Sequence, residues 1–370
     1  METNGMKTEN GESEEDEIAS DVEDCDDENE NSLFVKCECL VEESVTNNYI
    51  LHLDTTKESN PNIVVATPKK SVLYHLQNSQ IAKVGECLDY KSKLIGCKFS
   101  NKDPNLFYTG SSDGCIKLFD LRTPLKPALD FRDTTVEDNK FKTFNCFDVS
   151  SNDRLLTAGT DTIGGDAFIL FWDTRKQNVL GGYWESHTDD ITQVKFHPED
   201  MNKLISGAID GLINVYDLTK TSEDDALVDT LNTESSIDKL SCFYNDNKCC
   251  ISCITYTSDL QLWDLDDGEP YRRISRLDIS DLTIKDVNEL YLANCHQMRD
   301  GLLILAGSYS KKKSILRGLK VMKKIVVPSL QFTPNRQMVR DSSFNENNNI
   351  LFTVGEKGLL NIWKVPKPFL

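Results

Sequence analysis

The chain has 370 residues with a net charge of −19, and 39% of the residues are hydrophobic, which is enough to bury a substantial core. No stretch approaches about eighteen uncharged apolar residues, which excludes a membrane-spanning helix. The first residues have no basic and no apolar region, which excludes a secretory signal. The twelve cysteines are therefore expected to be reduced thiols.

The acidic charge is concentrated at the N-terminus. Residues 1–30 hold 14 Asp or Glu and one Lys, about −13 in total, so the rest of the chain is only mildly acidic. Residues 1–32 contain almost no aromatic or β-branched residues, and we predict a disordered acidic tail there. Residues 33–370 are predicted to form one folded domain. This domain has no basic bias, so nucleic-acid binding is not expected.

From residue 32 onward, short strands alternate with turn signals, and helical periodicity is absent. Several strands end in an aromatic residue followed by a polar one, at Phe119-Asp120, Trp172-Asp173, Tyr216-Asp217, Trp263-Asp264 and Trp363-Lys364. Successive endings are 53, 44, 47 and 100 residues apart, and the last gap corresponds to two units. A repeat of about 40–50 residues with this ending is typical of the blades of a β-propeller.

Two further blades lack the aromatic-Asp ending. The segment 301–321 and the segment 47–77 each contain strands and a turn in the same order, which brings the total to seven blades. The last blade has no outer strand of its own, because only five residues follow Val365. We predict that the N-terminal strand at 32–43 pairs with the last blade and closes the ring.

The repeats resemble WD40 repeats over essentially all of residues 33–366. The resemblance implies an all-β fold, a seven-bladed WD40 β-propeller closed by an N-terminal strand. Strings at 164–175, 185–198 and 223–228 are similar, in the same order, to a narrower subgroup of WD40-repeat proteins. That subgroup carries no well-defined biochemical activity.

The resemblance also implies a structural network within a blade, which links a His, a Ser or Thr, an Asp and a Trp or Tyr. In the blade at about 186–218 the matching residues are His187, Ser206, Asp210 and Tyr216. Such a network is physically reasonable, because a buried carboxylate is costly unless it is hydrogen-bonded.

Other blades match the network pattern less completely. The sequence places Thr109, Asp113 and Phe119 in blade two, and Thr157, Trp172 and, as a possible fourth member, Asp166 in blade three. Blades one, six and seven are expected to retain little of it. We therefore predict a degenerate propeller that is held together mainly by its apolar strands.

Two clusters have the composition of metal sites. In "SHTDDITQVKFHP" at 186–198, His187 and His197 stand at opposite ends of one strand, about 30 Å apart if it is fully extended. They cannot share a metal, although Asp189 could contact a partner. Cys250 and Cys253 have a zinc-like spacing, but residues three apart in a strand face opposite sides. No hydrolase, phosphate-binding or metalloprotease motif is present. We expect no catalytic residue, no cofactor and no metal.

The leading functional hypothesis is therefore a non-catalytic scaffold, a monomeric propeller that binds other proteins and no membrane. One alternative is a substrate receptor of a cullin-RING ubiquitin ligase. Its docking boxes would be Phe119–Arg122 and Trp172–Arg175, with Arg122 and Arg175 contacting the adaptor. The simpler interpretation is that each Arg pairs with the neighbouring Asp.

A second alternative is a chaperone that binds basic clients through the acidic tail, which could equally serve solubility alone. A basic cluster at 311–324 contains seven Lys or Arg. It could be a nuclear-import patch, or it could be a turn and the solvated face of strands. We expect the protein in the cytoplasm, the nucleus or both, and the cluster favours the nucleus slightly.

Overall fold

The computed structural model divides the chain into two compact units, Met1–Leu33 and Phe34–Leu370, and the architecture below belongs to the second. The predicted tail lies outside the described residues, apart from Met1. The structure describes residues 1, 33–88, 90–134, 141–265, 267–283, 286–299, 301–309, 314–322 and 325–367.

The described residues form 28 strands, which are arranged as seven blades. Strand β1 (Val35–Ser44) precedes blade one, which contains β2 (His52–Thr55), β3 (Asn62–Ala66), β4 (Ser71–Gln77) and β5 (Gln80–Cys87). Blade two contains β6 (Leu94–Phe99), β7 (Leu106–Ser111), β8 (Cys115–Asp120) and β9 (Leu129–Arg132). Blade three contains β10 (Phe144–Val149), β11 (Leu155–Thr160), β12 (Ile169–Asp173) and β13 (Val179–Tyr183). Blade four contains β14 (Ile191–Phe196), β15 (Lys203–Ala208), β16 (Leu212–Asp217) and β17 (Leu227–Asn232).

Three blades complete the ring. Blade five contains β18 (Ile237–Asn245), β19 (Lys248–Thr255), β20 (Leu260–Asp264) and β21 (Pro270–Ile274). Blade six contains β22 (Leu290–Met298), β23 (Gly301–Tyr309), β24 (Ser314–Met322) and β25 (Ile325–Phe332). Blade seven contains β26 (Val339–Asn345), β27 (Ile350–Gly355) and β28 (Leu359–Lys364). The helices of the described residues are α1 (Glu223–Ala226), α2 (Arg276–Thr283) and the 3-10 turn Val287–Glu289, and none is long and apolar enough to cross a membrane.

The middle strands of each blade are covered on both faces by neighbouring blades. Strand β27, with the sequence ILFTVG, is buried at every position, and β3, with the sequence NIVVA, at all but the first. These strands therefore appear in the sequence as continuous apolar runs instead of alternating patterns. The turn after the second strand of blade two contains Gly114 with a φ of 74°, a conformation that costs least at glycine.

Strand β1 closes the ring, as predicted from the sequence. It pairs antiparallel with β28 from Glu38↔Lys364 to Ser44↔Leu359 and so supplies the missing strand of blade seven. Its first residues also pair in parallel with β25, from Val35↔Leu330 to Cys37↔Phe332. This second pairing joins blades six and seven into one eight-stranded sheet. The seven-bladed fold class is confirmed.

The core lies between adjacent blades. Trp172, Trp263, Trp363 and Tyr216, all on third strands, are fully buried. The rings of Tyr183 in blade three and Tyr216 in blade four stack with centroids 5.2 Å apart. Large aromatic surfaces of this kind stabilise the contact between blades and restrict their relative motion.

Candidate functional site

The structure brings the four predicted network residues of blade four together. His187 Nδ1 lies 2.9 Å from Asp210 Oδ2, and His187 Nε2 lies 2.6 Å from Ser206 Oγ. Ser206 Oγ in turn lies 3.4 Å from Tyr216 Oη. His187, Ser206 and Tyr216 are buried, at 2%, 0% and 0% exposure.

The network lowers the pKa of the Asp210 carboxylate even though its partial burial acts in the opposite direction. Burial is the largest single influence and raises the pKa of Asp210. The hydrogen bond and charge of His187, together with the backbone N–H groups of Leu212 and Thr188, outweigh burial and hold the pKa of Asp210 below its usual value. The arrangement therefore fixes the loop before β14 against the turn before β16.

Asn214 also belongs to the network and was not predicted from the sequence. Its Nδ2 donates to the carbonyl of Ser186 at 2.7 Å and lies 3.3 Å from His187 Nε2, while its Oδ1 accepts from Thr230 at 2.8 Å. The available signal was the register, because Asn214 is paired with Ser206 across β15 and β16. A polar residue opposite a network serine faces the same interior.

Blade two contains a related network in which a tyrosine takes the place of the histidine. Tyr90 Oη lies 3.0 Å from Ser71 Oγ and 2.9 Å from Thr109 Oγ1. Tyr90 precedes Thr109 by 19 residues, the spacing that also separates His187 from Ser206, so the sequence did contain this signal. Asp113 bonds Ser111, and Phe119 stacks on Phe107 with centroids 4.9 Å apart.

Blades three and seven differ from the sequence interpretation. Asp166 is exposed and pairs with Ile163 in an isolated β-bridge, so it does not join the network of blade three. In that blade, Trp172 Nε1 donates to the Arg132 carbonyl. Blade seven retains more than predicted, because Trp363 Nε1 donates to Thr353 Oγ1 at 3.0 Å. Also in blade seven, Gln337 Nε2 donates to Asn361 Oδ1 at 3.1 Å and to the Leu359 carbonyl at 2.8 Å.

The inner strands of neighbouring blades are tied together by carboxylates. Each of three aspartates accepts a backbone N–H from the inner strand of the next blade, and the pairs are Asp341 with Leu53 (2.9 Å), Asp54 with Phe99 (2.7 Å) and Asp148 with Phe196 (2.8 Å). Burial raises the pKa of Asp54, although the Phe99 N–H and Lys98 act against this shift. These bonds hold the channel lining in place independently of the aromatic core.

All seven blades line a cavity of about 750 Å³ in the central channel. Its mouth, which we define by Lys93, Asp238, Tyr256, Met338 and Arg340, combines charged and apolar side chains. Tyr256 is 60% exposed, and Lys93 and Arg340 are also exposed. The mouth thus presents side chains that are suited to contacting another molecule.

Two histidines stand on inner strands, His52 in β2, where it lines the cavity, and His296 in β22. Desolvation lowers the pKa of His52 and of His296 to about 4, and Lys239 lowers both further while Asp341 opposes the shift. His296 Nε2 lies 2.7 Å from Ser342 Oγ, in the next blade. Both imidazoles are therefore neutral at pH 7.

Arg122 and Arg175, the predicted docking residues, are exposed, and each donates hydrogen bonds to its neighbouring aspartate from two side-chain nitrogens. Arg122 donates to Asp120 at 2.9 Å from both Nε and Nη2, and Arg175 Nε donates to Asp173 at 2.8 Å. These hydrogen bonds hold the pKa values of both aspartates below their usual value. The geometry matches the simpler interpretation, and docking of a ligase adaptor stays a prediction.

We expect the double variant Arg122→Ala/Arg175→Ala to unfold at the same urea concentration as the wild type, because both pairs are exposed to solvent. If the arginines dock on the adaptor, co-precipitation of the adaptor should be lost in this variant and kept in Arg336→Ala, which changes another exposed Arg. Equal recovery from all three proteins would contradict the docking prediction.

Five of the seven basic residues in the cluster at 311–324 lie outside the described residues, and the two that are described do not form a solvated face. Arg317 and Lys320 in β24 are 4% and 8% exposed, and the Arg317 guanidinium lies 4.5 Å from the centroid of the Phe34 ring. The interpretation of these two residues as surface charges was wrong, because both are buried and Arg317 packs on Phe34 and donates to the Thr283 carbonyl.

No group of three His, Cys, Asp or Glu side chains is placed to hold a metal among the residues that the structure describes. His187 and His197 make separate contacts, since His197 Nδ1 accepts the backbone N–H of Asp200 at 2.9 Å. Cys250 and Cys253 are buried, and burial raises the pKa of their thiols to about 11 and about 12. Neither is therefore a thiolate at neutral pH.

Comparisons with known proteins match this architecture. The family model "WD domain, G-beta repeat" matches residues 88–120 and 179–217, which contain the networks of blades two and four. The WD repeat-containing protein 89 homolog of Dictyostelium discoideum is 24% identical over 85% of this chain and 82% of its own length. An uncharacterized WD repeat-containing protein of Saccharomyces cerevisiae is 29% identical over 77% and 70%. The WD repeat-containing protein GTS1 of Arabidopsis thaliana is 31% identical over 57% and 53%.

Proposed function

This chain is a WD40-repeat β-propeller protein, and on that premise we propose that it is a non-catalytic scaffold that binds other proteins at the mouth of its channel. The observation that carries the proposal is the mouth itself. It is a rim of exposed charged and aromatic side chains around a cavity lined by all seven blades. Its residues stand on strand ends and tight turns of a closed ring, an arrangement that suits binding.

A non-catalytic role is supported by the burial of a group that resembles a catalytic triad. Ser206, His187 and Asp210 have the order of contacts of a hydrolase Ser-His-Asp set. The Ser206 side chain is fully buried beside Tyr216, however, so a substrate carbonyl could not reach Oγ. WD40 propellers are generally non-catalytic and bind other proteins or complexes.

The composition of the mouth supports a protein partner. Tyr256 offers a large amphipathic surface, and Arg340 and Lys93 line the same cavity from other blades. Tyr and Arg are among the residue types enriched at protein interfaces. We propose that the propeller is monomeric and works in the cytoplasm, the nucleus or both, where its partners are found. A chaperone role of the acidic tail stays a separate prediction, since the tail lies outside the described residues.

The test is affinity purification of the tagged full chain followed by mass spectrometry. The mouth variant Tyr256→Ala/Arg340→Glu should lose the principal partners, because it removes the exposed ring and inverts a charge. The control Tyr49→Ala/Arg336→Glu changes the same residue types at exposed positions that do not line the cavity, and should keep them. Loss of partners in both variants, or in neither, would contradict binding at the mouth.

A further inference from the structure

The outer strand of blade three has a free edge that carries no charge and no proline, although a bulge interrupts its pairing with β12 next to Leu180. Within the described chain, β13 is the last strand of its sheet, and its sequence VLGGY contains neither a charge nor a proline. The other free outer strands contain such residues, namely Lys83 and Glu86 in β5, Asp130 and Arg132 in β9, Asp229 in β17, and Pro270, Arg272 and Arg273 in β21. Charges and prolines on an edge strand prevent pairing with other chains. Among these five outer strands, β13 alone has no charged residue and no proline to prevent pairing with another chain.

The side chains along this edge also favour contact. Leu180 is 57% exposed, and Trp184, one residue beyond the strand, is 50% exposed. Between them, a Cβ added at Gly181 would have no neighbour within 4 Å, so a second backbone could approach closely here. An exposed tryptophan at the end of an open edge is the kind of anchor that dominates protein interfaces.

The surroundings of Trp184 set the charge of the partner. Hydrogen bonds hold together three segments, 161–167, 184–190 and 221–226. The backbone N–H of Thr162 donates to Asp190 at 2.7 Å. The backbone N–H groups of Trp184 and Glu185 donate to Glu223 at 2.7 and 2.9 Å. The three segments contain no Lys or Arg. Their acidic residues are Asp161, Asp166, Glu185, Asp189, Asp190, Glu223, Asp224 and Asp225. We call these three segments the acidic loop cluster.

Several of these carboxylates are available to a partner. Glu185, Asp224 and Asp225 are exposed, and Asp166 is exposed as well. The nearest cation along the chain, Lys220, lies just before the third segment, where its charge acts on Asp217. A cationic side chain seated on the face of Trp184 would therefore gain from the ring and from the surrounding negative charge.

We propose that β13 and Trp184 form a docking site for an extended, basic segment of a partner protein. The segment adds a strand to the edge of β13, and one of its Lys or Arg side chains stacks on Trp184 beside the acidic loop cluster. This inference rests on the proposed scaffold function and deepens it by naming the chemistry of a partner. Strand β13 and Trp184 do not line the cavity, although Asp190 of the acidic loop cluster does, so each site can fail without the other.

The test uses a fluorescein-labelled octapeptide of alternating Thr and Lys, with a Thr-Glu octapeptide as its matched control. By fluorescence anisotropy with the full chain, the Thr-Lys peptide should bind and the Thr-Glu peptide should not. Trp184→Ala should weaken binding by about tenfold or more, as loss of a desolvated cation–π contact does. Tyr49→Ala, which removes an exposed ring that lines neither this site nor the cavity, should leave peptide affinity unchanged.

Hydrogen exchange locates the bound peptide. Those amides of residues 179–183 that face away from β12 should become protected when the Thr-Lys peptide binds, because strand addition occupies the free edge. Binding that leaves these amides unprotected, or that survives Trp184→Ala, would overturn the proposal. Sedimentation of the free chain supplies a further check, since self-association that is lost in Leu180→Lys would assign the edge to a second copy instead. If the Thr-Lys peptide binds as expected but the mouth variant loses no partners, the proposal of binding at the mouth is contradicted and the docking site at β13 and Trp184 is supported.

Discussion

His187→Ala should lower the free energy of unfolding by about 2–3 kcal/mol, because it removes one hydrogen bond from each of two shielded polar groups, Asp210 and Ser206. The wild-type imidazole bonds Asp210 Oδ2 with one nitrogen and Ser206 Oγ with the other. Neither partner can turn to bulk water, since Ser206 is fully buried and Asp210 lies in the turn that the imidazole covers. Urea unfolding at pH 7, followed by tryptophan fluorescence, measures the loss.

His75→Ala is the matched control for this prediction. His75 is half-buried and its Nδ1 meets a single partner, Asn62 Oδ1, at 2.9 Å. Its replacement should cost no more than about 1 kcal/mol. The double variant His187→Ala/Ser206→Ala should lose less than the sum of the two single variants, because both remove the same bond. Additive losses would show that the two residues do not act together.

The same variant separates a structural role of His187 from a metal role. We expect purified wild type and His187→Ala to contain the same, substoichiometric amount of zinc. Stoichiometric zinc in the wild type that disappears in His187→Ala would overturn the structural interpretation, and with it the view that the stretch 186–198 is framework.

The ring and the blade-four network could be predicted from the sequence because both depend on short-range order. The repeat spacing gave the blades, and the lack of an outer strand after β28 predicted closure by β1. The His187 and Ser206 positions lie 19 residues apart within one blade, where a pattern can be recognised. Tyr90 was missed although it has the same spacing to Thr109, since only a histidine was expected there.

The contacts between blades could not be predicted, because they join residues that the sequence places far apart. Asp341 accepts the N–H of Leu53 across 288 positions, and this contact exists only once the ring has closed. Glu223 reaches Trp184 and Glu185 from the next blade, so the acidic loop cluster is a product of packing. The parallel pairing of β1 with β25 likewise depends on where closure places the end of β1.

The second large effect is expected from acid. Between pH 7 and pH 5, the double variant His52→Gln/His296→Gln should lose about 2–3 kcal/mol less stability than the wild type. Desolvation lowers the folded pKa of both imidazoles to about 4, whereas an unfolded histidine titrates near 6.5. Between these two pH values, His52 and His296 bind protons in the unfolded chain and remain neutral in the folded chain. The stability supplied by the two neutral imidazoles is therefore complete above about pH 6.5 and is lost as the pH falls towards 4.

Full linkage at pH 5 would give about 2 kcal/mol for each histidine, and the partial solvent exposure of both half-buried side chains reduces this. Other titrating groups also contribute to the slope of the free energy of unfolding against pH. Burial raises the pKa of Asp54 and of Asp238, which favours folding as the pH falls. The difference between variant and wild type cancels their contribution, so it is the quantity to measure by urea unfolding at a series of pH values. Gln193→Asn, which changes a cavity residue that does not titrate, should keep the wild-type slope. Identical slopes for the histidine variant and the wild type would mean that both imidazoles are protonated in the folded channel as readily as in water.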